Sequence, residues 1–265
     1  MAQVNNYVEK MVRPAFYYYG GKSRICRDIL EIAPPHKVYV EGFAGGLNVL
    51  LNKYRSDIEV VCDLNPEIIN CYHVLVSSPK ELAERVKATE VSKAIFQTAR
   101  RAGNQGDELT RALNFLIAWR MSFAGMGMSC SITRGITNGW ETLPHDLLIV
   151  ARRLKGVSLL HRSAFDVIPE YDSPDTWFYL DPPYPGLTRV STKVYNCEMN
   201  GLDHIRLLKL LKTLQGKVIL SGYTHLLYDK ELAEWDRVEI EIPLSCGFVK
   251  GKERDRRIEV LWIKR

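Results

Sequence analysis

Asp181, Pro182, Pro183 and Tyr184 follow directly on the apolar run Trp177 to Leu180 (WFYL). Two consecutive prolines cannot continue a sheet ladder, so the chain leaves the strand there in a fixed, extended shape. In an open parallel sheet the carboxyl ends of the strands are where ligands bind, which puts the Asp181 carboxylate, the Pro182 carbonyl and the Tyr184 ring at an active edge. Two acceptors beside one flat aromatic face are what a flipped-out base with an exocyclic amino group needs. The plainer reading of the same four residues is a proline-rich turn that ends a strand and packs its tyrosine on the surface.

A second constellation lies upstream. Lys37 to Glu41 (KVYVE) is short, β-branched and aromatic, and it runs into Gly42-Phe43-Ala44-Gly45-Gly46 and then the helix-like NVLLNKY. Glycines in such a strand-turn-helix unit let a ligand approach the backbone, and an acidic residue about 20 positions on suits ribose hydroxyls. Asp63 follows the next strand, EVVC, and meets that requirement. Without it, the glycine cluster would read as a turn that merely packs.

The elements that must carry these groups alternate between strand and helix. Asn65-Pro66-Glu67 opens a helix, with Asn65 as N-cap and Pro66 at the first position. Further strands fall at 157–160 (VSLL), 177–180, 217–220 (KVIL), 238–242 and 258–263, and DHIRLLKLLKTL forms an amphipathic helix capped by Asp203. This order predicts an α/β fold, a doubly wound and mostly parallel sheet covered on both faces, with the last two strands as an antiparallel edge pair. Residues 77–145 read instead as a helical insertion. SSPKELAERVK is capped at Ser77 or Ser78, LTRALNFLIAWRMSF has broad apolar faces with Phe115, Trp119 and Met121 as core, and Ala124 to Trp140 is a Gly-, Ser- and Thr-rich loop. The catalytic domain is then discontinuous, 1–76 with 146–265.

With 36 Lys plus Arg against 31 Asp plus Glu, the net charge is +5. That balance fits a nucleic-acid partner and an ordinary protein equally well. The apolar and aromatic content excludes disorder and low complexity. Six cysteines form no C-x-x-C pair and six histidines no H-x-x-x-H, so reduced thiols filling a core are expected, and no metal site. No apolar run approaches the ~18 residues of a membrane span, and the N-terminus lacks the apolar core of a signal peptide, so a cytoplasmic protein is expected.

Taken in order, the motifs resemble those of the Dam-type DNA adenine-N6 methyltransferases, particularly phage and prophage-like members, over nearly the whole chain. PAFYYYGGK (14–22) resembles the N-terminal cofactor motif, VEGFAGGLNVLL (40–51) the glycine motif and Asp63-Leu64-Asn65 the ribose motif. FAGMGMS (123–129) resembles part of the target-recognition insertion, Asp181 to Tyr184 the catalytic motif, and VILSGY (218–223), Leu227-Tyr228-Asp229 and RIEVLW (257–262) the closing segments. The resemblance implies a Rossmann-like methyltransferase fold, S-adenosylmethionine as cofactor and DNA, double-stranded, as partner for a monomer or weak dimer of bacterial or phage origin. It implies that Tyr18, Gly20, Gly21 and Lys22 help hold the cofactor, that Glu41, Phe43 and Gly45 line its pocket, and that Asp63 with Asn65 takes its ribose. Asp181, Pro182, Pro183 and Tyr184 would hold the adenine. Three positions depart from the family: Gly42, where proline is common, Leu47, where a small residue is common, and Ser163, where an aspartate often stands, with Asp166 three residues later.

A cytosine-N4 methyltransferase is the neighbouring alternative, because it too methylates an exocyclic amino group. A catalytically silent nucleic-acid-binding protein is the alternative from another class, with the intact Asp181 and Asp63 against it. Arg134 and Asn138 in the 122–140 loop are candidates for reading the target, and Arg189 for a phosphate contact, in a segment (185–199) that reads as a lid over the active edge or as a plain connection. Arg100-Arg101 and Arg152-Arg153 read as solvated helix faces, and Lys250 to Arg257 as a DNA-contacting hairpin or an exposed charged turn.

Overall fold

The computed structural model describes residues 10–18, 20–131, 139–184, 199–243 and 256–265. Seven strands form one sheet in the order β3-β2-β1-β4-β5-β7-β6. They are β1 (Val38–Glu41), β2 (Ile58–Asp63), β3 (Ser158–His161), β4 (Thr176–Leu180), β5 (Lys217–Tyr223), β6 (Asp236–Pro243) and β7 (Arg256–Lys264). β1 to β5 are parallel, and β7 runs antiparallel to both β5 and β6. β6 is one of the two edges, and its sequence DRVEIEIP sets charges along it, which guards an open strand against pairing with another chain.

Residues alternate between two hydrophobic layers with the period of two that a pleated strand imposes. Tyr39, Val61, Trp177, Tyr179, Ile219 and Leu261 enter one layer, and Val40, Val60, Phe178, Leu180, Val218 and Trp262 the other. Helices α1 (Cys26–Glu31), α2 (Asn48–Asn52), α3 (Pro66–Ser77), α4 (Pro79–Ala88), α5 (Lys93–Ala102), α6 (Glu108–Arg120) and α7 (Leu143–Leu154) bury their apolar faces in the first layer. α8 (Ala164–Glu170), α9 (Gly201–Thr213) and α10 (Leu226–Glu231) cover the second. Phe115, Trp119 and Met121 are buried in the same cluster as Tyr39 and Trp177 of the sheet, so α4 to α6 share the sheet's core.

Several local expectations are corrected. The N-cap of α9 is Asn200, whose side chain accepts from the Leu202 and Asp203 backbone amides, while Asp203 returns a bond to the Asn200 amide. Asp203 is thus the third residue of a capping box and not the cap itself. The helix after the glycine cluster stops at Asn52, with Lys53 already extended. Ser77 ends α3, and Ser78 precedes α4 without a side-chain cap bond. Arg153 is not on a solvated face: it donates to both carboxylate oxygens of Glu59, 2.6 and 2.8 Å away, alongside the buried Lys53. Asn65 caps α3 as expected, accepting from the Glu67 amide. Residues 132–138, 185–198 and 244–255, with Arg134, Asn138, Arg189, most of the candidate lid and most of the charged 250–257 turn, lie outside the described residues. Among the described residues no helix is long and apolar enough to cross a membrane.

Candidate active site

In the sheet order the chain reverses direction of growth between β1 and β4, and the crevice outside such a switch point is where doubly wound folds bind ligands. The carboxyl ends of β2, β1 and β4 bring Asp63, Glu41 and Asp181 to it. A cavity of about 310 Å³ opens there. Of the described residues expected at the site, Gly20, Pro182 and Tyr184 do not line this cavity, and the others do. The glycine turn is tied to β2 by Ala44 N, which donates to Cys62 O at 3.1 Å, and to α3 by the Tyr72 phenol, which donates to Gly45 O at 2.7 Å. Asp63 accepts from Gly45 N at 3.3 Å and from Asn65 N at 2.8 Å. Burial raises its carboxyl above the ordinary range, against the pull of those amides. Glu41 accepts from the Tyr39 phenol at 2.7 Å and from Leu50 N at 3.1 Å. Burial outweighs both and pushes its carboxyl up to about 8.

Lys22 joins the two constellations. Its side chain is 4% exposed, and its ammonium donates to Gly20 O and to both Asp181 oxygens, each at 2.7 Å, which matches its three protons. Burial works against its charge, yet attraction to Asp181 and Glu259 prevails and holds its pKa above the ordinary value. Ser221 of β5 adds a bond to Asp181 Oδ1 at 3.0 Å. Asp181 is therefore fixed in place beside the cavity, with lone pairs left to accept from a ligand. Tyr184 lies behind it: the ring is 4% exposed, its phenol donates to Glu259 Oε2 at 2.7 Å, and Lys22 Nζ stands 5.0 Å from the ring centroid.

The D12 class N6 adenine-specific DNA methyltransferase family model matches residues 18–239, most of the chain. The chain belongs to that family. This DNA methyltransferase transfers a methyl group from a donor to N6 of adenine, which decides between the adenine and cytosine readings. Type II methyltransferase M.MjaIII of Methanocaldococcus jannaschii is 25% identical to it over 95% of this chain and 98% of its own length. A DNA adenine methylase of Vibrio cholerae is 27% identical over 68% of each chain. Type II methyltransferase M1.LlaDCHI of Lactococcus lactis subsp. cremoris is 24% identical over 94% of each.

The methyltransferase's cavity fits a donor that carries polar groups. Asn65, which lines it, has a buried amide nitrogen with no protein partner. Gly45, which lines the cavity, adopts φ +44°, a left-handed conformation that favours glycine at this turn. Tyr18 itself stacks on Trp119 of α6, ring centroids 4.6 Å apart. Arg206 of α9 and Phe165 of α8 complete one wall, the guanidinium 4.5 Å from the ring centre. Neither was legible as a site residue, since a helical arginine and a partly buried phenylalanine carry no spacing signal. Ser163 lines the cavity and caps α8 through Phe165 N, whereas Asp166 is exposed and away from it. Gly42 is a tight point, because a Cβ would fall 2.7 Å from Leu180 Cδ2 and 3.3 Å from the Ala164 Cβ. Leu47 holds the left-handed φ of +54°, a strain of roughly 1–2 kcal/mol that its full burial offsets.

Proposed function

We propose that the donor is S-adenosylmethionine, held between the glycine turn, Asp63 and Asn65 on one side and Arg206 with Phe165 on the other, and that the target adenine is flipped out of duplex DNA toward Asp181. The observation that carries this reading is the Lys22, Ser221 and Asp181 arrangement, which fixes an acceptor at the edge of the cavity with open lone pairs. When bound, S-adenosylmethionine supplies a methyl group on a positively charged sulfur. The adenine amino nitrogen is a weak nucleophile because its lone pair is delocalised into the ring. Asp181 and the Pro182 carbonyl, by accepting its two hydrogens, favour a pyramidal nitrogen. Asp181 then receives the proton that N6 gives up, and passes it to water. Positioning alone contributes ~7–11 kcal/mol in reactions of this kind, and charge-assisted bonds add to it.

Tyr184 offers its ring to the flipped base, which offsets part of an unstacking cost of roughly a few kcal/mol. Since that ring is buried in the protein alone, the base reaches it only when the surface over it opens. Residues 77–145 would recognise the target, with Arg134 and Asn138 reading bases, while Arg189 of the 185–199 segment would hold phosphate. The protein would act as a monomer or weak dimer in the cytoplasm, where the DNA of bacteria and archaea such as its relatives lies. The test is to incubate it with unmethylated DNA and labelled S-adenosylmethionine and to identify the product nucleoside by mass spectrometry. N6-methyl-2′-deoxyadenosine is expected; label in another nucleoside, or none, would overturn the reading.

A further inference from the structure

We propose that Glu259 of β7 is a positioning residue for methyl transfer, fixing the plane of the Tyr184 ring through its phenol. This rests on the reading of Tyr184 as the adenine's stacking partner. The two prolines before Tyr184 fix backbone angles and leave its side chain to be held by something else. Three groups hold it: Tyr223 meets the ring edge-on at 4.5 Å between centroids, Lys22 stands over it, and Glu259 accepts from the phenol at 2.7 Å. Tyr223 and Glu259 are directly opposed across the antiparallel β5 and β7 pair, so the sheet register itself sets where the carboxylate stands. Arg257, two residues back on the same face of β7, bonds the Tyr223 phenol at 3.0 Å and lies 4.8 Å from that ring's centre.

Glu259 is 4% exposed and lies directly before the buried apolar residues Leu261 and Ile263 on its face of β7. A carboxylate is a poor choice there for stability alone, because well-packed apolar residues replace buried ions at little loss or at a gain. Burial raises its carboxyl, with Lys22 pulling the other way, and burial also raises the Tyr184 phenol. The phenol thus keeps its proton and remains the donor. The pair joins a motif at the end of β4 to a strand 75 residues away, which is how the closing segment of the chain reaches the reaction.

The test is a double-mutant cycle on the full chain, reading the single-turnover methylation rate on unmethylated plasmid DNA at saturating S-adenosylmethionine and, separately, cofactor affinity by calorimetry. Glu259→Ala and Tyr184→Phe are each expected to slow methylation by about tenfold to a hundredfold, a range set by small misplacement of a reacting group, with cofactor affinity within about twofold of wild type. The double variant should be no slower than either single one. Glu259→Gln, which keeps an acceptor of the same shape, should recover most of the rate. Additive losses in the double variant, a parallel fall in cofactor affinity, or a glutamine variant as slow as alanine would overturn the proposal and assign Glu259 to packing. Tyr184→Ala separates the two readings. A full rate in that variant removes Tyr184 from the base and the proposal with it, whereas a lost rate beside an unaffected Glu259→Ala contradicts the positioning role alone.

Discussion

Lys22 and Glu41 show how burial treats two ionisable groups at this site, one kept charged by its partners and the other held neutral. Lys22 spends its three protons on Gly20 O and the Asp181 carboxylate, so it locks the N-terminal motif onto the catalytic one across 159 residues of chain. No spacing in the sequence links those positions, and the family resemblance assigned Lys22 to the cofactor because its motif neighbours do. Glu259 was equally hidden, as one acid in a terminal strand rich in charge. Asp181, Asp63 and the glycine turn were legible because each sits at the end of an apolar strand, where chemistry must concentrate. Glu41 permits a pH test. Its carboxyl in the fold is held at about 8 against an ordinary 4.5. The stability it contributes is therefore complete below pH 4.5, declines as pH rises, and is gone above about 8. Denaturation midpoints of the cofactor-free wild type should fall relative to those of Glu41→Gln across that window. Parallel curves for the two proteins would show that Glu41 is not held in its neutral form.

At the scale of elements, strands were readable and caps less so. Six of the seven strands fall on β-branched or aromatic runs, β3 (SLLH) resting on its two leucines, and their alternation with helices made the doubly wound sheet predictable. The cap of α9 was misread because Asn200 lies upstream of the periodic pattern and Asp203 at its start, where a capping box places an acid as readily as an N-cap does. Arg153 was misread because helical spacing does not report a buried Glu59 on a neighbouring strand. The turn after β1 yields a prediction. Gly42 faces Leu180, the residue immediately before Asp181, and its amide donates to Tyr179 O at 3.4 Å. Gly42→Ala should destabilise the protein by about 1–3 kcal/mol, as overpacking of a filled site does, and should lower turnover by shifting Leu180. Urea unfolding with an unchanged slope checks the first part. A variant as stable and active as wild type would mean that the Leu180 side chain and α8 give way freely.

For the molecule as a whole, we propose that chemistry lies at the switch point of the sheet and recognition on the helical side. α6 is the physical link between them. Its buried Arg120 donates to the carbonyls of Pro14 and Ala15, each at 2.9 Å, and its Trp119 stacks on Tyr18, while the loop that follows α6 contains the candidate readers. Arg134→Ala and Asn138→Ala should alter which sites are methylated, or the affinity for them, and leave cofactor affinity unchanged; sequencing of methylated sites together with calorimetry checks this. DNA affinity should fall as salt rises, and Arg189→Ala should reduce that slope. Unaltered site choice in both loop variants would move recognition elsewhere. The division between base and cofactor is tested most directly by Asp181→Ala against Asp63→Ala, with methyl incorporation and cofactor affinity measured on each. Asp181→Ala should cut methyl transfer at least about a hundredfold, the loss typical of removing one preorganised group, while binding S-adenosylmethionine as wild type does. Asp63→Ala should weaken cofactor binding about tenfold or more, as loss of a charged hydrogen bond does. Equal loss of cofactor affinity in both variants would contradict the account.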